Sequence, residues 1–169
     1  KADRKSAKHS ATGKTKKIAV GEKVPDFEVT INGKKLKLSQ LQKDGKLSKD
    51  GVVVLTFWCS FCHSCRHVER DLDKLAKQYK TKAAVIALDA SGETEKTVAA
   101  FAKKRGLSLP IALNAKGTAA DIFGVHVTTT TVIIDGKGVL RYCGQFGNKR
   151  TAYAEDALKA VLAGKTVQV

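Results

Sequence analysis

Residues 52–67 read VVVLTFWCSFCHSCRH. The first seven, Val52 to Trp58, form an unbroken β-branched and aromatic run, too short for a helix and bounded by polar residues. That is the pattern of a strand buried on both faces. Beyond it the period changes: Val68, Leu72, Leu75, Ala76 and Tyr79 mark one apolar stripe of an amphipathic helix of about four turns, beginning at or just after Cys62. Cys59, Cys62 and Cys65, each three residues from the next, therefore fall where a buried strand enters a helix. Open α/β sheets place their sites at this carboxyl edge.

Working outward, Phe27 to Leu38 alternates around Asn32-Gly33, a hairpin signal because both central positions of a type I′ turn need positive φ. Gln42 to Gly51 reads as a linker. Downstream, AAVIAL at 83–88 predicts a second buried strand, and residues 94–105 a helix with Val98, Phe101 and Ala102 inward and Gly106 as its stop. Pro110 to Leu113 is a weak strand and Thr118 to Phe123 a short helix. TVIID and VLRYC form a second hairpin across residues 135–138, and Ala152 to Leu162 a last helix closed by Gly164. Strands separated by helices call for a parallel sheet centre, with hairpins adding antiparallel edges.

The chain of 169 residues with 43% apolar residues suits one domain with a tail. Its longest apolar run is far short of the roughly 20 residues of a membrane helix. It starts at Lys1 and contains no methionine, so a mature or trimmed form is expected, with export permitted. The net charge of +15 is uneven: residues 1–17 hold seven Lys or Arg against one acid and read as a disordered basic arm before a domain at 18–169. The rest is spread over outer helix faces, as at Lys74, Lys77 and Lys80. No aromatics interleave with the basic residues as a nucleic-acid stacking platform requires, so a solvated basic surface is expected rather than a nucleic-acid site, with contact between the arm and an anionic surface as the alternative.

At a helix start the first amides lack intrahelical partners and the macrodipole is positive, so a thiolate at Cys62 is stabilised. Such a cysteine can titrate well below its ordinary value of about 8.5, in the range of roughly 3.5 to 7.5. Cys65, one turn along on the same face, can attack a mixed disulfide formed on Cys62. Nucleophile and resolver follow from that spacing, and a charged His63 would favour the thiolate further. Cys59 lies before the helix and reads as a small buried residue.

The runs GEKVPDFEVTINGKKLKLSQL, VVVLTFWCSFCHSCR and FGVHVTTTTVIIDGKGVLRYCGQFG together resemble the redoxin (AhpC/TSA-like) and TlpA/ResA-like thioredoxin proteins over residues 18–163. The resemblance implies a thioredoxin-like three-layer α/β fold, a central mixed sheet flanked by helices, with an N-terminal β-hairpin extension. It implies a thiol-disulfide oxidoreductase with catalytic Cys62 and Cys65, and a partner-facing set of Trp58, His63, Ser64, Thr128 and Thr129. Protein thiols or disulfides and an upstream redox partner are the implied partners, the address is extracytoplasmic (periplasm or cell envelope), and no cofactor beyond the dithiol is needed. Two places depart from the pattern. Thr129 stands where the family has a cis-proline, so a trans peptide is expected there. Thr56 stands where thioredoxins proper carry a buried acid, which leaves water or Glu69 to move the proton.

Three other chemistries use the same cysteines. Cys59, Cys62 and His63 have the spacing of covalent haem attachment, although the chain has no methionine for the usual distal ligand. Cys59, Cys62, Cys65 and Cys143 could supply four thiolates to a metal if the last hairpin brings Cys143 to the site face, and His63 with His67 is a second pair on one helix face. The T-x-x-C of Thr56 to Cys59 resembles that of peroxiredoxins, but Val53 and Thr129 replace the proline and arginine those enzymes use. A non-enzymatic scaffold whose arm binds a partner is the remaining alternative.

Overall fold

The computed structural model describes residues 17–114 and 116–168. Except for Lys17, the basic arm lies outside them. The centre of the molecule is β3 (Val53–Phe57), whose five residues are all buried. It pairs in parallel with β4 (Ala84–Asp89), from Val53↔Ala84 to Phe57↔Leu88, and β4 pairs in parallel with β5 (Ile111–Leu113). On the other side β6 (Thr130–Ile134) runs antiparallel to β3 and β7 (Leu140–Gln145) antiparallel to β6. The amino-terminal hairpin, β1 (Glu28–Ile31) and β2 (Lys34–Lys37), joins the free edge of β5, giving one sheet of order β2-β1-β5-β4-β3-β6-β7. Its turn has Asn32 at φ 50° and Gly33 at φ 76°, the two positive values that the sequence pair Asn-Gly supplies cheaply.

Strand alternation sorts β3 side chains onto two faces. Val54 packs with Leu72 and Leu75 of α2 (His63–Gln78), Val98 of α3 (Glu95–Arg105) and Leu158 of α5 (Tyr153–Leu162). Val53, Leu55 and Phe57 pack on the other face with Leu38 and Leu41 of α1 (Leu38–Lys43) and with Phe123 of α4 (Thr118–Phe123). The molecule is therefore a three-layer α/β fold of the thioredoxin-like kind. Where the sequence reading passes from hairpin to linker, the structure has the short helix α1, because Leu38 and Leu41 both find buried places against the sheet, 2% and 1% exposed. Gly106 ends α3 at φ 67°, accepting the left-handed turn that a side chain resists. No described helix is long and apolar enough to cross a membrane.

Candidate active site

β3 ends at Phe57, and the Trp58 N–H continues the ladder by donating to the Leu88 carbonyl at 2.9 Å. A turn then brings the Cys62 N–H to the Cys59 carbonyl at 3.3 Å and sets Cys62 at the N-cap of α2. Its Sγ accepts the Cys65 backbone N–H at 3.2 Å, an orphan donor of the first helical turn. Cys62 and Cys65 are joined as a disulfide with Cα atoms 5.3 Å apart. Cys62 is 8% exposed and Cys65 fully buried, so only the former faces anything outside.

The loop before β6 completes the rim. The Thr128 hydroxyl stands 3.0 Å from Cys62 Sγ and the Ser64 hydroxyl 3.6 Å from it; in the reduced protein both can donate to a thiolate there. Thr129 donates its N–H to the Phe57 carbonyl at 2.6 Å with φ 73°, and every described peptide bond is trans. Of the two threonines, Thr128 rather than Thr129 puts its side chain on the sulfur. His63 is exposed, its ring packed edge-on against His67 at 5.6 Å.

Trp58 is 2% exposed and stands behind the disulfide. Its indole N–H donates to Glu69 Oε1 at 3.0 Å, and Arg105 pairs with the same oxygen. The Arg105 guanidinium lies 3.8 Å over the Phe101 ring, which packs edge-to-face with Trp58 at a centroid separation of 5.9 Å. Glu69 is thus held in place by a guanidinium and an indole, a buried support for the site. Arg105 had no signal in the sequence beyond its place at a helix end.

A second group that sequence reasoning missed lies on the other side of the turn. Asp89, at the end of β4, is 1% exposed, and its Oδ2 meets no hydrogen-bond donor among the described residues. Burial first and the Glu93 carboxyl beside it second push Asp89 up to about 6. Burial works against the charge of Glu93, but the Asp89 carboxyl and the Ser60 hydroxyl and N–H hold it below its ordinary value. Cys59, 5% exposed, is pushed up by burial and then by Asp89 and Glu93. Such a thiol lacks the cationic setting of a peroxide-reducing cysteine. Thr56, expected beside it in that reading, spends its hydroxyl on Thr131 at 2.9 Å.

Cys143 is not on the site face. In β7, Tyr142 points to the layer holding the disulfide and Cys143 to the opposite layer, as strand alternation requires, so the four-thiolate metal set is not assembled. Among the described residues no three His, Cys, Asp or Glu converge on a metal position.

A thioredoxin-like sheet with a dithiol pair at the first turn of the helix after its central strand defines a thiol-disulfide oxidoreductase. Residues 20–143 match the model of the AhpC/TSA family. The thioredoxin-like protein YneN of Bacillus subtilis is 39% identical over 127 residues, 73% of this chain and 70% of that one. The thiol-disulfide oxidoreductase ResA of Bacillus anthracis is 33% identical over 124 residues, 72% of this chain and 67% of that one. A Chlorobium tepidum structure assigned as the thiol:disulfide interchange protein DsbE superposes with TM-score 0.71 at 26% identity, covering 86% of this chain and 99% of that one. The chain belongs to the AhpC/TSA family.

Proposed function

We propose that this protein exchanges disulfides with partner proteins, Cys62 acting as the attacking sulfur and Cys65 as the resolving one. In the reducing direction the Cys62 thiolate attacks a partner disulfide, forms a mixed disulfide and expels one partner thiolate; Cys65 then attacks Cys62 and releases the second. The reverse sequence oxidises a partner dithiol. Support comes first from one observation: the Cys62 sulfur caps α2, takes the Cys65 N–H at 3.2 Å and lies 3.0 Å from the Thr128 hydroxyl. Each contact favours the thiolate over the thiol.

The rim of His63, Ser64, Thr128 and Thr129 is where a partner backbone would lie, while Trp58 supports the site from below. The redox group is the dithiol itself, and no cofactor is assigned. By resemblance to the TlpA/ResA-like proteins the site of action is outside the cytoplasm, with the basic arm on an anionic surface. The test is reduction of insulin disulfides by the reduced protein, alongside alkylation of Cys62 across pH. Cys62→Ala should abolish turnover, and the Cys62 thiol should titrate below about 7.5. Full turnover by Cys62→Ala, or an alkaline thiol at that position, would remove the reading.

A further inference from the structure

We propose that Cys59 is a second resolving thiol, so that a disulfide can close on either side of Cys62: onto Cys65 along the helix, or onto Cys59 across the turn that precedes it. The inference rests on the reading of Cys62 as nucleophile and adds a residue to it.

Residues 59–62 form one hydrogen-bonded turn, closed by the Cys62 N–H to the Cys59 carbonyl at 3.3 Å. The first and fourth residues of such a turn have Cα atoms within about 7 Å, and disulfides span about 4.4–6.8 Å. The Cys59 thiol is buried on this same turn, where the backbone N–H groups of Phe61 and Cys62 favour its charged form against burial. It shares one apolar cluster with Trp58, Cys62 and Cys65. Cys59 is as buried as Cys62 but has neither its place at the N-cap of α2 nor its contact with the Thr128 hydroxyl, which suits resolution and not first attack. The turn is also tied down. Ser60 donates its N–H to Glu93 at 3.0 Å and its hydroxyl to the same carboxylate.

The step balances without an added reagent. Cys59 sulfur attacks Cys62 sulfur in the mixed disulfide, the Cys59–Cys62 bond forms, the bond from Cys62 to the partner breaks, and the partner leaves as a thiolate that takes up the proton Cys59 gives away. The partner has then been reduced by two electrons, as when Cys65 resolves. Burial and the neighbouring Asp89 and Glu93 carboxyls hold Cys59 as a thiol, so it works more slowly than Cys65 and takes over when Cys65 is engaged or oxidised.

The experiment treats reduced full-length protein with dithiobis(nitrobenzoic acid), in a Cys143→Ala background, and follows released thionitrobenzoate and intact mass. Cys65→Ala should release two equivalents and end two hydrogens lighter than its reduced form, with the second release several-fold slower than when Cys65 is present. Cys59→Ala with Cys65→Ala should release one and keep the adduct on Cys62. In Cys65→Ala, adding Glu93→Gln should speed the second release. A stable adduct in Cys65→Ala, indistinguishable from the double variant, would overturn the proposal while leaving Cys62 as nucleophile. Failure of the double variant to form any adduct would sink both. If Cys65→Ala does not fold, Cys65→Ser carries the same comparison.

Discussion

Thr128 and Thr129 sit side by side and do opposite things. The Thr128 hydroxyl, 3.0 Å from Cys62 Sγ, can donate to the thiolate, and a hydrogen bond to a charged group is worth about 1.5 kcal/mol at the low end suited to a half-exposed loop. Thr128→Val should therefore raise the Cys62 thiol pKa by about one unit. The reduced form loses the same free energy, so the reduction potential should fall by roughly 30 mV. Alkylation across pH and equilibration with glutathione measure the two; neither moving would mean the hydroxyl does not serve the sulfur. Thr129 carries a conformational cost instead: φ 73° is hard for a β-branched residue, about 1–2 kcal/mol. Thr129→Pro, which installs the family residue, cannot reach that φ and deletes the N–H bonded to Phe57. It should lower unfolding stability by about 2 kcal/mol or more in urea titration, whereas Thr129→Gly should leave it equal or higher.

At the scale of elements, what the sequence displayed was periodicity and punctuation. The run from Val52 to Trp58 became β3 and its extension, Asn32-Gly33 became the hairpin turn, and Thr118 to Phe123 became α4 with the limits read from the sequence. The dithiol was legible for the same reason, since Cys62 and Cys65 lie within one element and their contact is local. Helix α1 was hidden because two leucines three apart are too few to show a period. Arg105, Asp89 and Glu93 were hidden because their meaning depends on which elements become neighbours. Glu69 from α2 meets Trp58 from the end of β3 and Arg105 from α3 only once the sheet has formed. Arg105→Ala should therefore cost about 3 kcal/mol, because it leaves a carboxylate that is 7% exposed without its cation. Glu69→Gln in that background should recover part of it. The single tryptophan reports the same event, and its emission should shift to the red in Arg105→Ala alone. An unchanged denaturation midpoint would mean that the pair contributes nothing.

Across the whole molecule, two buried carboxyls on different elements pull the pH dependence of stability in opposite directions. Asp73 on α2 has burial against its charge, but the N–H groups of Ser108 and Leu109, the Lys77 ammonium and the Ser108 hydroxyl outweigh it and hold the group below its ordinary value. Its contribution is present above the unfolded pKa of about 3.9 and is lost as pH falls through the lower folded value. Asp89 is the reverse case. Pushed up to about 6 by burial and then by Glu93, it contributes stability that is fully present below about 3.9 and lost as pH rises through about 6. Above that pH the fold carries a buried carboxylate whose Oδ2 meets no hydrogen-bond donor among the described residues. Asp89→Asn keeps the oxygen that accepts the Ser91 N–H at 2.8 Å and puts an amide donor beside Glu93. The variant should be more stable than the parent at pH 7.5 by about 1–2 kcal/mol, with the gap closing towards pH 5. Urea titrations of both proteins, oxidised, at the two pH values decide it. Parallel curves with a constant offset would show that Asp89 does not change its charge between the folded and unfolded chain in this range.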